Sequence, residues 1–283
     1  MKEIMFSINS WIFGKAPIEE IALQAKHIGV DGLEISGEPD TTNIVATKEA
    51  LRKNGLIPFS ISGNYLEETR AFCHDQLQYR NAAIEYGKKC VDMAVQLGAK
   101  KVLVVPSLIN KLTYFASKQE DWKNAVAALR ELADYAKKQG DIIIMMECVN
   151  KYEVTLVRTL EDGIRMAKDI QRDNVKIVGD TFHMQLEEEN GIHNAIRRAG
   201  KDWLAHLHLG DNTREVPGKG CLNWREIFLA LHDIQYQGAV SFEPLPQKLT
   251  PDQIFNGDLN QEELVNDLKF SLNYLQAIMQ SIR

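Results

Sequence analysis

The chain has 283 residues, 45% of them hydrophobic and 25% charged, with a formal net charge of −6. That length is ordinary for one α/β barrel, which runs to about 250 residues or more, and it can bury a large core. The acidic balance argues against a nucleic-acid binder, which carries a basic footprint, and no apolar run approaches the roughly 18 residues that cross a membrane.

Short β-rich runs alternate with longer amphipathic segments. The opening residues, Met1 to Ser7, lack the apolar core and cleavage site of a signal peptide, so a cytoplasmic protein is expected. A first strand is expected over Glu3–Asn9 and a helix over Ile18–Ile28. Strands follow at Gly32–Ile35 and Ile57–Ser60, then a helix at Asn81–Leu97, a strand at Lys101–Val105 and a helix at Asp121–Lys138. The second half reads as strand Ile142–Met146, helix Leu160–Ile170, strands Val175–Gly179 and Trp203–Leu209, helix Trp224–Ile234, strand Ala239–Phe242 and a last helix over Glu262–Met279. In the segment 224–234, Ile227, Leu231 and Ile234 recur at helical spacing. Gly29, Gly98, Gly140, Gly200 and Gly238 stand where helices would close in a left-handed turn. Eight strands alternating with eight helices, the six helical segments above among them, predict an α/β fold, a (β/α)8 TIM barrel. No linker or composition shift divides it, so residues 1–283 are expected to form a single domain.

The four cysteines, Cys73, Cys90, Cys148 and Cys221, are scattered without zinc-site spacing and read as reduced thiols. Cys148 follows Glu147 and is expected to face the other way, because strand side chains alternate. The run Glu187-Glu188-Glu189 reads as a solvated loop or helix start. His27, His74, His193 and His232 lie in helix-like or polar stretches and are expected to face solvent.

The chemistry concentrates at strand ends. Met-Met-Glu147-Cys-Val-Asn150 and Gly-Asp180-Thr-Phe-His183-Met each place a carboxylate where an apolar run ends. The next two runs end on His208 and Glu243. In a parallel barrel, catalytic groups sit at strand C-termini, and neighbouring strands lie ~4.8 Å apart, so these four side chains can converge on one ion. Three carboxylates and an imidazole suit Mn²⁺, Mg²⁺ or Co²⁺. His206 shares a face with His208 and reads as a buried hydrogen-bonding partner rather than a ligand. Glu34 ends the second strand, where a substrate contact and a structural ion pair are both open. Trp11 is expected as an apolar wall over a substrate or as core.

The segments Glu147-Cys-Val-Asn-Lys-Tyr-Glu153, Asp180-Thr-Phe-His183-Met, His206-Leu-His208-Leu-Gly-Asp-Asn-Thr-Arg214-Glu-Val-Pro-Gly-Lys-Gly220 and Glu243-Pro244 resemble the xylose isomerase-like sugar isomerases and epimerases. Within these, the chain looks most like the D-tagatose and D-psicose (allulose) 3-epimerase group. The order and spacing match along the C-terminal half; the N-terminal half matches only in outline. The resemblance implies that Glu147, Asp180, His208 and Glu243 hold one divalent metal, Mn²⁺ first. It implies that Glu147 and Glu243 are the acid/base pair acting through a cis-enediolate. It also implies that Glu153, His183 and Arg214 bind oxygens of a ketose or keto-sugar substrate. Members are often dimers or tetramers, so a homo-oligomer is expected, with no nucleic-acid or membrane partner.

The same scaffold supports hydroxypyruvate or inosose isomerases, which need one base, and keto-sugar dehydratases, which expel a β-hydroxyl. Apurinic endonucleases are a remoter resemblance. They need further histidines at the third and fourth strand ends, where this chain has Ser62-Gly63 and Pro106-Ser107. The end of the fourth strand, Val104-Val105-Pro106-Ser107, departs from the glycine- and aromatic-containing turn of the 3-epimerases, which leaves the sugar itself open.

Overall fold

A computed structural model describes residues 4–282. Eight parallel strands close into a barrel in sequence order. They are β1 (Met5–Asn9), β2 (Gly32–Gly37), β3 (Ile57–Gly63), β4 (Lys101–Val104), β5 (Ile143–Glu147), β6 (Val175–Asp180), β7 (Leu204–Leu209) and β8 (Ala239–Phe242). Closure comes from β1, whose Ile8 lies opposite Leu33 of β2 on one side and Phe242 of β8 on the other.

The outer ring holds α1 (Ile18–Ile28), α2 (Ile44–Asn54), α3 (Leu77–Leu97), α4 (Lys118–Gly140), α5 (Leu160–Ile170), α6 (Thr181–Glu187), α7 (Ile192–Trp203), α8 (Trp224–Asp233), α9 (Pro251–Asn256) and α10 (Gln261–Ile282). The local chemistry explains these elements. Helix α5 starts on a capping box in which Thr159 and Asp162 satisfy each other's backbone donors. It then buries Leu160, Met166, Ala167 and Ile170 against the sheet. Helices α1 and α3 end on Gly29 and Gly98 at φ 97° and 87°, which a glycine adopts without steric cost.

Several expectations are corrected. Ten α-helices, not eight, occur among the described residues, because two follow β6 and two follow β8. Gly140 is the last helical residue of α4, and Asp141 takes the left-handed cap. Gly238 closes no helix. It is small because a Cβ there would meet the Tyr236 hydroxyl at 2.2 Å and the Ala205 carbonyl at 2.8 Å. His74 does not face solvent: it is 3% exposed, stacked between Tyr79 and Phe115. Glu187 and Glu188 close α6 rather than start a helix. Their carboxylates accept from the backbone N–H groups of Lys151 and Leu160 and tie two loops together. Of the expected first strand, Glu3 lies outside the described residues.

The space between strands and helices is apolar, filled by residues such as Leu33, Ile61, Val102 and Leu207. Part of the barrel interior is polar instead. Glu34 on β2 reaches His206 and His208 on β7 across the barrel, and Lys101 Nζ on β4 donates to the Ala205 carbonyl on β7 at 2.7 Å. Burial in that setting demands partners, and these supply them. No helix of the described residues is long and apolar enough to cross a membrane.

Candidate metal centre and sugar site

The four strand-end residues come together. Glu147 closes β5, Asp180 closes β6, His208 is the penultimate residue of β7, and Glu243 follows β8 directly. One ligand atom from each lies within 4.8 Å of the others. The register explains this: Asp180 pairs with His208, and the Glu243 N–H donates to the Leu209 carbonyl.

The individual contacts set the chemistry. His208 Nδ1 faces Glu147 Oε1 at 3.1 Å and Glu243 Oε2 at 2.5 Å. Glu243 Oε1 accepts from Asn9 Nδ2 at 2.8 Å and Trp11 Nε1 at 2.6 Å. Asp180 is also the N-cap of α6, with Oδ1 accepting from the backbone of Phe182 and His183. Its Oδ2 stays free of those bonds. The Asp180 and His208 side chains are 4% and 0% exposed, while Glu147 and Glu243 are 10% and 14% exposed and reach the cleft.

Burial pushes the Asp180 carboxyl up to about 7, with Glu243 adding to the shift. Burial also raises Glu147, despite its contact with His208. For His208, burial opposes charge, but Glu243 and Glu34 outweigh it and hold the ring well above the usual histidine range. Three carboxylates, two of them buried, against one imidazole therefore leave negative charge uncompensated. A divalent cation would supply what is missing, and oxygen and nitrogen donors of this kind fit a hard or borderline ion. Cys148 does not join: a Cβ on Gly163 of α5 would touch its Sγ at 3.0 Å, so the thiol faces outward under that helix.

A second group lines the cleft beside the first. Arg214 Nη1 donates to Glu153 Oε1 at 3.1 Å, and Asn150 Nδ2 donates to the same oxygen at 3.0 Å. Asn150 Nδ2 also lies 2.6 Å from His183 Nδ1. Burial, with Arg214 and His208 nearby, holds His183 well below the usual histidine range, so the ring is neutral. The Arg214 guanidinium lies over the Phe182 ring, 4.8 Å from its centroid. Its backbone has a positive φ of 61°, and its carbonyl accepts from Leu245. Asp211 fixes this loop. It is fully buried and accepts from the backbone of Gly218 and Leu222 and from Trp224 Nε1. Gly220 passes so close to Asp211 Oδ1 that a Cβ would sit at 2.1 Å. The long motif 206–220 is thus a strand end and a loop shaped by one aspartate.

All seven residues expected in the site lie around this cleft. His206 is a hydrogen-bonding partner of Glu34 and is outside the four-residue group. Trp11 is more than an apolar wall, because its indole N–H donates to Glu243. Asn9 and Asn150 were missed by sequence reasoning. Asn9 ends the first strand, and barrel closure brings that end beside Glu243; Asn150 lies inside a motif already singled out.

Residues 22–264 match the family model of the xylose isomerase-like TIM barrel. A D-psicose 3-epimerase of Enterocloster bolteae is 42% identical over 170 residues, which is 57% of this chain and 55% of that protein. The chain spans about half the length of the curated relatives matched at this identity. A 3-dehydro-D-guloside 4-epimerase of Escherichia coli K12 is 29% identical over 241 residues, covering 83% of this chain and 89% of that protein. A D-psicose 3-epimerase from Clostridium cellulolyticum H10, solved with D-tagatose, has a TM-score of 0.86 at 24% identity over 98% of this chain and 99% of that one, a likeness of fold. By the extent of the family match, the chain belongs to the xylose isomerase-like TIM barrel family.

Proposed function

We propose that the protein is a divalent-metal-dependent sugar epimerase that inverts C3 of a ketose. The observation that carries this reading is that two carboxylates, Glu147 and Glu243, come to His208 Nδ1 from different strand ends, at 3.1 and 2.5 Å, and that both side chains stay partly exposed. Inversion needs one group on each face of the reacting carbon, within hydrogen-bond reach of it.

Glu147, Asp180, His208 and Glu243 would hold one ion, with Mn²⁺ the first candidate and Mg²⁺ or Co²⁺ alternatives. When bound, it supplies Lewis acidity, polarising the ketone so that the hydrogen on the neighbouring carbon becomes acidic. The chain's own groups do the rest. One glutamate takes the C3 proton, and the C–H electron pair enters the C2–C3 bond to give an enediolate. The other glutamate, protonated, delivers its proton to the opposite face of C3. The reverse reaction exchanges the two roles. Glu153, His183 and Arg214 would hold the substrate oxygens. Neutral His183, with Nδ1 on Asn150, can present Nε2–H to one of them.

A panel of ketoses incubated with metal-loaded protein in deuterated water tests this. Deuterium at an inverted C3 supports the proposal. Label at C1 or C2 with an aldose product would mean an isomerase, and loss of water a dehydratase. Inversion at C4 of a keto-glycoside is the second reading, favoured by the Escherichia coli relative named for that reaction and aligned over 83% of this chain.

A further inference from the structure

We infer that Glu34 is a positioning residue: it locks His208 with Nε2–H turned away from the metal position and Nδ1 presented to it, while His206 and Ser60 hold Glu34 in place. This rests on the metal-centre reading above.

Glu34 is fully buried inside the barrel on β2. Its Oε2 lies 2.9 Å from His208 Nε2 and 3.0 Å from His206 Nε2. Its Oε1 accepts from Ser60 Oγ of β3 at 2.8 Å. Each carboxylate oxygen therefore has its own partners, drawn from β3 and β7. An ionised carboxylate only accepts hydrogen bonds, so both imidazole nitrogens that face it must carry protons. In a neutral His208 ring, the lone pair then sits on Nδ1. That nitrogen faces Glu147 and Glu243, which are themselves acceptors. With Nε2 committed to Glu34, a cation that replaces the Nδ1 proton shared with these acceptors would meet a lone pair already turned toward it. Metal-bound imidazoles commonly donate their second N–H to a carboxylate, which fixes the ring and raises its basicity.

Glu34, His206 and His208 also form a group close enough to hold an ion themselves. Charge decides against it. One carboxylate satisfied by three donors needs no cation, while the neighbouring group gathers three carboxylates around one imidazole. His206 stands edge-on to His208, at 89° between ring planes, and spends its Nε2 on Glu34. It holds the holder, and it reaches the metal position only through Glu34 and His208.

The test compares wild type, Glu34→Gln and Glu34→Ala. Mn²⁺ affinity is measured by calorimetry on stripped protein. The His208 Nε2–H resonance is followed by nitrogen-15 NMR on protein loaded with diamagnetic Zn²⁺. Glu34→Ala should weaken Mn²⁺ binding about 10–100-fold. Glu34→Gln keeps the shape and one acceptor oxygen, so it should recover most of the affinity. The Nε2–H proton should move upfield from wild type to Gln to Ala. A merely structural role would lower the melting temperature and leave affinity and proton unmoved. Affinity within about twofold of wild type in folded Glu34→Ala overturns the inference. If that variant does not fold, unchanged affinity and an unchanged His208 resonance in Glu34→Gln overturn it. Wild type that binds no Mn²⁺ sinks the metal centre as well, and two ions per chain would mean that Glu34 and the two histidines bind one.

Discussion

Replacing Glu147 and Glu243 by glutamine, one at a time, separates proton transfer from metal holding, because the two positions are not equivalent. Among the described residues Glu147 makes one hydrogen-bond contact, from Oε1 to His208. A glutamine there can turn its oxygen toward the ion and keep the metal. Glu243 already spends Oε1 on Asn9 and Trp11. Glutamine at 243 keeps its oxygen on those two donors and turns its NH2 toward His208, where a ligand is needed. Flipping the amide would set its NH2 against two donors, and a buried donor left unsatisfied costs about 1–3 kcal/mol, so the amide will not flip to rescue the ligand. Glu147→Gln should therefore retain metal and lose at least ~10² in turnover, about 2.7 kcal/mol of barrier, because an amide cannot accept the proton. Glu243→Gln should lose at least as much and also bind metal more weakly. Metal content by atomic emission, turnover, and exchange of the C3 proton of each epimer in deuterated water are the assays. Metal-loaded Glu147→Gln should exchange the proton of one epimer only, and Glu243→Gln at saturating metal that of the other. If metal-loaded Glu147→Gln interconverts the epimers at near wild-type rate, the two-base reasoning is wrong.

The remaining predictions concern pH, the indole that donates to Glu243 and the arginine loop. Burial pushes the Asp180 carboxyl up to about 7 and raises Glu147 in the same direction, so bound protons compete with the ion. Mn²⁺ affinity should rise with pH up to and through about 7 and binding should release protons; calorimetry in two buffers of different ionisation enthalpy reads this, and the absence of release would refute it. The same shift makes metal-free protein less stable as pH rises from the unfolded carboxylate value of about 4 toward 7, since the unfolded chain gives up that proton first. Trp11→Phe keeps the ring and removes the donor to Glu243; with Asn9 still in place, the loss should sit near ~1.5 kcal/mol, about tenfold in kcat/KM, and no change would reduce Trp11 to a wall. Arg214→Ala should raise KM while leaving metal content and melting temperature unchanged, because Asp211, not Arg214, holds the loop; loss of metal would show that Arg214 is structural.

How much of this could be read from the chain depends on where each partner lies. Glu147, Asp180, His208 and Glu243 were legible because each ends an apolar run and successive strands lie side by side in a barrel. Glu34 was not, because its partners His206 and His208 come 172 and 174 residues later on a strand opposite, not adjacent. No local pattern separates a strand-end acid that touches substrate from one that crosses the barrel. Helix α6 was hidden for a related reason: Asp180 serves as strand end and N-cap at once, so one residue carries two signals. Helix α2 did carry signals, an Asn43 cap and a left-handed Gly55, but its apolar stripe is weak because only Thr47, Ala50 and Leu51 are buried. His74 was misread because the rings that cover it, Tyr79 and Phe115, belong to different segments.

The ends of β5 to β8 carry the charged groups, while the ends of β1 to β4 carry Asn9, Ser36, Ser62 and Ser107. Hydroxyls and amides both donate and accept, so they tolerate many arrangements of sugar oxygens, whereas an ion site tolerates few. On the proposed function, proton transfer and the grip on the reacting oxygens would fall to the charged half of the barrel mouth, and the hydroxyl-rich half would meet the rest of the sugar. Ser107 illustrates this: its hydroxyl is buried without a hydrogen-bond partner among the described residues. Nothing in its neighbouring sequence specifies which oxygen, if any, it would meet. The charged half of the mouth is constrained by charge, and charge is visible in a sequence; the hydroxyl-rich half is constrained by shape, and shape is not.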